Sequence, residues 1–252
     1  FYYSTDDYLN HFSPADYSNE TILLKGARVF LFEKIGGMLE QQVHQTVLEV
    51  NLDAISANLN EFRKHLSQGT RIMAMVKAFA YGAGPSEIAS LMEFHRIDYL
   101  AVACADEGVA LREAGMTTPI VVMNPEPSAF SQMIRYNLEP EIYSLSLLNR
   151  FAVAVSRHGA SGYPVHIKLD TGMHRLGFMP EETDDLIRAV GESDNLKVIS
   201  VFSHLAASEN PDFDSFTRRQ AEAFIDISSR LRSELGYPFL RHLLNSAGIA
   251  RF

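Results

Sequence analysis

Cysteine is nearly absent: Cys104 is the only one in 252 residues. It has no internal disulfide partner, so a reducing, cytoplasmic setting is the expectation, although a cysteine-poor secreted protein would look the same. Basic residues are outnumbered, with 22 Lys+Arg against 31 Asp+Glu and a formal net charge of −9. That balance weighs against nucleic acid or an anionic membrane surface as the main partner. No apolar run approaches the ~20 residues that a membrane span requires. The opening Phe1-Tyr2-Tyr3-Ser4-Thr5-Asp6-Asp7 has neither the basic nor the apolar region of a secretion signal. It also has no initiator Met, and the start is read as a cut. The glycine fingerprint of dinucleotide sites, the phosphate-loop lysine motif and the Gly-X-Ser-X-Gly elbow are all missing. No metal-ligand spacing stands out.

What is present is ordinary globular composition, 46% hydrophobic and 21% charged. The length suits one large domain or two small ones, and a single α/β barrel takes about 250 residues. Residues 1–45 read differently from 46–252. Residues 1–20 are aromatic and polar without a clear period. A short apolar strand is expected at Thr21–Leu24, then a helical stretch from Val29 to Gln42 interrupted by Gly36-Gly37. One strand and one helix cannot bury a core alone.

From Thr46 the pattern changes. Val47–Leu52 alternates as a half-buried strand, and Asp53 can cap the helix that follows. Strands are then expected at Ile72–Ala78, Tyr99–Cys104, Pro119–Met123, Glu139–Tyr143, Pro164–Asp170, Val198–His204 and His242–Asn245. Helical patterns lie between them, near 86–96, 106–114, 127–136, 145–157, 181–191 and 213–234. Near-continuous apolar runs such as Ile120-Val121-Val122-Met123 suit a parallel sheet buried on both faces. Repeated βα units imply a doubly wound sheet or a (β/α)8 barrel lacking its last strand, and the count fits both.

Sites in either architecture form at the C-terminal ends of the strands. Lys77 ends the first apolar run, in Val76-Lys77-Ala78-Phe79-Ala80-Tyr81-Gly82-Ala83-Gly84. A desolvated lysine is a nucleophilic amine that forms Schiff bases with aldehydes, although a lone strand-end lysine more often snorkels to the surface. Gly82 and Gly84 permit a tight turn that would bring Tyr81 to a phosphate. His166, Lys168 and Asp170 alternate onto one face of a mid-sequence strand, where three ionisable groups are costly unless paired or used. Arg175 follows in the next loop. His204 ends its strand, where a histidine can stack on a planar ring, pass a proton or simply be a satisfied core residue. Asn245 and Ser246 stand where a strand turns into a helix, an anion site or a plain N-cap. His95, His158, Glu107 and Arg112 fall on helices and are assigned solvent or packing roles.

Taken in order, Val76-Lys77-Ala78-Phe79-Ala80-Tyr81-Gly82, Thr171-Gly172-Met173-His174-Arg175-Leu176-Gly177, His204 and Asn245-Ser246-Ala247-Gly248 resemble the barrel of alanine racemases. The resemblance runs from about Thr46 to Phe252. It implies a (β/α)8 barrel truncated near strands 7–8, with pyridoxal 5'-phosphate as cofactor and alanine as substrate. By the same resemblance Lys77 would hold the cofactor and act as one of two catalytic bases. Tyr81 and Ser246 would bind its phosphate, and Arg175 its phenolic oxygen. His204 would stack beside the ring, with Asn245 helping to place it. Lys168 matches a lysine that is carbamylated in some members. The second base would be a partner's tyrosine beyond residue 252, which implies a homodimer for the full-length protein and little or no turnover by this segment. Phe79 and Ala83 replace an Asn and a His common in the family, and His174 stands where Gly or Asn is more usual. A basic amino-acid decarboxylase, a racemase of another amino acid and a non-enzymatic cofactor carrier are the alternatives on this barrel.

Residues 1–45 carry a second resemblance. Thr21-Ile22-Leu23-Leu24-Lys25-Gly26-Ala27-Arg28 looks like the end of the α/β ligase that adds D-alanyl-D-alanine to UDP-N-acetylmuramoyl-tripeptide. In some bacteria that ligase is fused ahead of an alanine racemase, with a join resembling Leu39–Thr46. The chain is therefore expected to be a piece of such a fusion, serving peptidoglycan synthesis.

Overall fold

The computed structural model describes residues 2–13, 17, 20–39, 49–77, 80 and 84–252. The chain divides into two compact units, residues 1–48 and 49–252.

The first unit is small. Helix α1 (Thr5–Leu9) starts at Ser4, whose hydroxyl accepts from the Asp7 amide, with Asp6 and Asp7 in the first turn. The sequence reading overlooked this cap. A single turn at Arg28–Phe30 precedes helix α2 (Glu33–Leu39). The strand expected at Thr21–Leu24 does not form: these residues are irregular. Gly36 and Gly37 lie inside α2 and do not interrupt it. Lys34 pairs with Asp6 at 2.8 Å, and Tyr2, Tyr8, Phe12 and Tyr17 make a chain of ring contacts. Ile35 is its buried apolar residue among those described.

The second unit opens with helix α3 (Leu52–Lys64). The alternating strand expected at Val47–Leu52 is corrected here. Residues 49–51 are irregular and Leu52 already opens α3, while residues 47 and 48 lie outside the described residues. The cap is Asn51, whose Oδ1 accepts from the Ala54 amide at 2.9 Å, and Asp53 sits in the first turn instead. Seven strands follow: β1 (Met73–Met75), β2 (Tyr99–Val102), β3 (Ile120–Val122), β4 (Leu138–Ile142), β5 (Tyr163–Lys168), β6 (Leu196–Phe202) and β7 (Leu240–His242). They pair in sequence order, every pair parallel. The helices between them are α4 (Pro85–Phe94), α5 (Ala105–Glu113), α6 (Phe130–Arg135), α7 (Leu145–Arg157), α8 (Thr183–Gly191) and α9 (Asp214–Leu235). A last short helix, α10 (Ser246–Arg251), packs against α3.

That contact curls the sheet. Arg71–Met73 at its first edge and Leu240–His242 at its last line one cavity of about 320 Å³ together with Tyr99, His166 and Ser200. The fold is an α/β barrel of seven parallel strands, open between β1 and β7. Leu100, Val102, Ile120, Val122, Leu138 and Ile142 are wholly buried, as near-continuous apolar strands require. Helix α7 buries Leu147, Leu148, Phe151 and Val155 on one face, roughly 1.5–3 kcal/mol for each large side chain. Gly108 of α5 lies so close to Leu138 that a Cβ would stand 2.9 Å from it. Among the described residues, no helix is long and apolar enough to cross a membrane.

Candidate active site

Polar residues at the C-terminal strand ends form one constellation. Lys77 lies two residues past β1 and is exposed. Its carbonyl accepts from the Ala80 amide at 2.9 Å, and Ala80 takes a left-handed φ of 52°. The chain then enters α4 through Gly84, at φ 85°, with Pro85 in the first turn. Tyr81, Phe79 and Ala83 lie outside the described residues.

Residue Lys168 ends β5 and is buried; so is Glu141 on the neighbouring strand β4. Their ion pair measures 3.1 Å. The Lys168 ammonium also sits 5.5 Å from the centre of the Phe202 ring. Burial raises the Glu141 carboxyl, and first Lys168, then Arg175, pull it back down. The sequence reading missed Glu141. Its signal was a second carboxylate two residues after Glu139, hence on the same face of a buried strand.

Three ionisable residues were expected on one face of β5, and their cost is met by pairing. His166 Nε2 lies 2.7 Å from Glu139, and its Nδ1 lies 2.7 Å from the Ser200 hydroxyl. Ser200 in turn lies 3.2 Å from His242 Nε2. Burial, and then His166, push the His242 imidazole down to about 3, so it is neutral. His242, Ser200, His166 and Glu139 thus form one continuous chain of hydrogen bonds. Asp170 lies beyond the strand: its Oδ1 accepts from the amides of Gly172 at 2.9 Å and His174 at 3.1 Å. It shapes the loop that presents Arg175.

That loop is folded back tightly. Asp170 N–H donates to the Phe178 carbonyl, and Phe178 N–H to Lys168. Gly177 has φ 135°, and a Cβ there would stand 2.5 Å from the Asp170 nitrogen, so only glycine fits. His174 has φ 54°, the region where Gly and Asn are at ease. The Ser203 hydroxyl, on the next loop, donates to the Leu169 carbonyl and accepts from Thr171, each at 2.8 Å. Arg175 itself is exposed.

The half-buried imidazole of His204 follows β6. Burial first, then Arg175, Lys168 and Lys77, hold it below its usual range, while Glu209 opposes them. Lys168 ends β5, while Lys77 and Arg175 lie on loops at the same end of the sheet. Gln220 of α9 holds this turn, donating to the His204 carbonyl at 3.2 Å and accepting from the Ala206 amide at 3.0 Å. Asn245 caps α10: its Oδ1 accepts from the Gly248 amide at 2.9 Å and the Ser208 hydroxyl at 2.7 Å. Its amide reaches the Leu205 carbonyl at 3.4 Å, next to His204. Ser246, first in α10, is exposed.

Helical residues assigned to packing behave so. The Arg112 guanidinium donates to the carbonyls of Met116, Thr118, Tyr136 and Asn137. His95 Nε2 lies 2.9 Å from the Ser56 hydroxyl.

Residues 50–252 match the family model for the N-terminal domain of alanine racemase. The chain belongs to that family. It is 34% identical over 207 residues to alanine racemase 1 of Oceanobacillus iheyensis, covering 81% of this chain and 54% of that one. It is 36% identical to the serine/alanine racemase of Enterococcus gallinarum, covering 83% of this chain and 30% of that one. Among solved structures, alanine racemase of Clostridium difficile 630 in complex with cycloserine superposes with a TM-score of 0.74 at 31% identity, over 81% of this chain and 57% of that one. The Bacillus anthracis alanine racemase with bound L-Ala-P gives 0.73 at 27% identity, over 81% and 52%. The chain spans about half the length of most of these alanine racemases.

Alanine racemases depend on pyridoxal phosphate, and the donors present suit that group. An amine (Lys77), a guanidinium (Arg175) and a half-buried imidazole (His204) stand at the same end of the parallel sheet, the donor set that an anionic, planar aldehyde would need.

Proposed function

We propose that this chain is the cofactor-binding part of an enzyme that interconverts L- and D-alanine for peptidoglycan synthesis in the cytoplasm. The observation that carries the reading is that Lys77, Lys168, Arg175, His204 and Ser246 all stand at or just beyond the C-terminal ends of parallel barrel strands in a chain of the alanine racemase family. When bound, pyridoxal phosphate delocalises the electron pair left at Cα as the α-proton departs. The Lys77 amine would hold the cofactor and would act as the base for the proton at Cα on one face of the substrate. Arg175 would donate to the ring's phenolic oxygen. Ser246 and Tyr81 would hold its phosphate, and the His204 imidazole, held below its usual range, would lie beside the ring. Asn245 positions the His204 turn through Leu205.

A second base is needed on the opposite face, and we assign it to a partner subunit's tyrosine in a homodimer. Residues 1–252 alone then turn over little alanine, because they span about half of the relatives. We read residues 1–45 as the tail of a D-alanyl-D-alanine-adding ligase, on the residues that resemble it.

The test is racemisation of L-alanine by the natural full-length protein, with serine and lysine as competitors. Conversion of alanine, together with a near-visible absorbance band that Lys77→Ala removes, is expected. A band without turnover of any amino acid would make the protein a cofactor carrier. Carbon dioxide release from lysine would make it a decarboxylase.

A further inference from the structure

Glu141 is wholly buried and Lys168 nearly so, and they face each other at 3.1 Å across β4 and β5. Among the described residues, neither carboxylate oxygen of Glu141 is within hydrogen-bond geometry of a donor. The Lys168 nitrogen stands 3.1 Å from Glu141 Oε1. On its other side Lys168 meets the face of Phe202, which favours a cation. The resemblance described above assigns this lysine a carbamate in some relatives, which would place a negative charge near Arg175. Here a carboxylate built into the neighbouring strand already occupies that side of the nitrogen.

Carbamylation needs a neutral amine. The Nζ lone pair attacks the carbon of carbon dioxide and a C–N bond forms. One C=O electron pair moves onto oxygen, and a proton leaves the nitrogen for solvent. The product is an anion on Lys168. Beside Glu141, in an interior that excludes water, two like charges would face each other. With Glu141 in place, the 3.1 Å ion pair and the Phe202 ring face occupy two sides of the nitrogen that a carbamate would have to share.

We propose that Glu141 supplies from its own side chain the negative charge that a carbamate supplies elsewhere, and that Lys168 of this protein stays an unmodified amine. Glu141 is thus a positioning residue: it fixes Lys168, and its charge lies within the field of the Arg175 guanidinium. The inference rests on the functional reading above for the use of Arg175, and on geometry alone for the state of Lys168.

The experiment exposes the full-length protein to 13C-labelled bicarbonate, then reads carbamate by carbonyl 13C NMR and by peptide mass after chemical trapping. Wild-type protein should carry no label on Lys168. Glu141→Gln should take up one carbon dioxide equivalent, and Glu141→Gln/Lys168→Met none. A labelled Lys168 in wild-type protein overturns the proposal, as does an unlabelled Lys168 in folded Glu141→Gln. Should that variant not fold, Lys168→Met gives a second measurement. Removing its counter-charge should protonate Glu141 near neutral pH, with a carboxylic-acid C=O band in the infrared. A carboxylate unchanged from wild type would overturn the pairing. Neither readout uses turnover. A protein that lacks the Lys77-dependent absorbance band while Lys168 behaves as stated would fail the functional reading and leave this one intact.

Discussion

At the N-terminal end of the sheet, Arg112 reaches four carbonyls around the starts of β3 and β4. Glu93 Oε1 there accepts from the amides and hydroxyls of both Thr117 and Thr118. At the C-terminal end, Lys77, Arg175 and Ser246 are exposed. The Arg112 side of the barrel uses polar groups to hold backbone to backbone. The other side uses backbone to hold polar groups outward: Asp170, Gln220 and Asn245 each bond main-chain atoms of a loop that carries a candidate site residue. One end should therefore fail by unfolding when altered, and the other by losing chemistry.

The sharpest way to break that division is Gly177→Ala, because it strikes the scaffold at the site's own end. Its Cβ has no room against the Asp170 backbone and φ is 135°. We expect a loss of about 3 kcal/mol in chemical denaturation, with the Arg175 loop distorted. Arg112→Met should lose roughly 2 kcal/mol while the cofactor absorbance of the folded fraction is unchanged, which denaturation and titration with pyridoxal phosphate would check.

Glu93→Gln sharpens the comparison through pH. Hydrogen bonds from Thr117 and Thr118 hold its carboxyl down to about 2, against an ordinary 4.5. A depressed carboxyl stabilises the fold above its unfolded pKa and loses that contribution as pH falls through the folded value. The stability difference between wild type and Glu93→Gln should be full above pH 4.5 and shrink toward pH 2, in denaturation curves taken across that window. The smallest effect expected is His174→Gly, a gain of up to about 1 kcal/mol by relieving the left-handed backbone at φ 54°. A melting-temperature shift would show it, and a loss instead would mean that His174 is held by its 3.6 Å approach to Asp170.

Much of this was legible before any coordinates. Buried parallel strands are written as apolar runs, so Ile120-Val121-Val122 and its six counterparts could be placed within a few residues. The cofactor-site candidates stood where those runs ended. Pairing between strands was not legible. Glu141 is an ordinary acidic residue until β4 is laid beside β5 in register, with Glu141 opposite His166 and close to Lys168. The same register turns His166 from a candidate for chemistry into a link between Glu139 and Ser200. The strand expected at Thr21–Leu24 failed for the complementary reason: apolar residues make a strand only when another strand takes their backbone hydrogen bonds. The Asn51 cap was misread as Asp53 because both residue types cap helices well, and one position decides which backbone amide is reached.

The strand order has a consequence for how such a chain comes together. Each strand pairs with its neighbour in sequence, across separations as short as that between Ile120 and Leu138 and no longer than that between Ser200 and Leu240. Closing loops of that size costs little extra entropy from one to the next. The sheet can therefore grow by accretion, one strand and helix at a time, in the order in which a ribosome releases them. Lys77, at the end of the first strand, would wait for His204 and Ser246, which arrive with the last two. On the proposed reading, the candidate site comes together only once β6 and β7 have joined the strands before them.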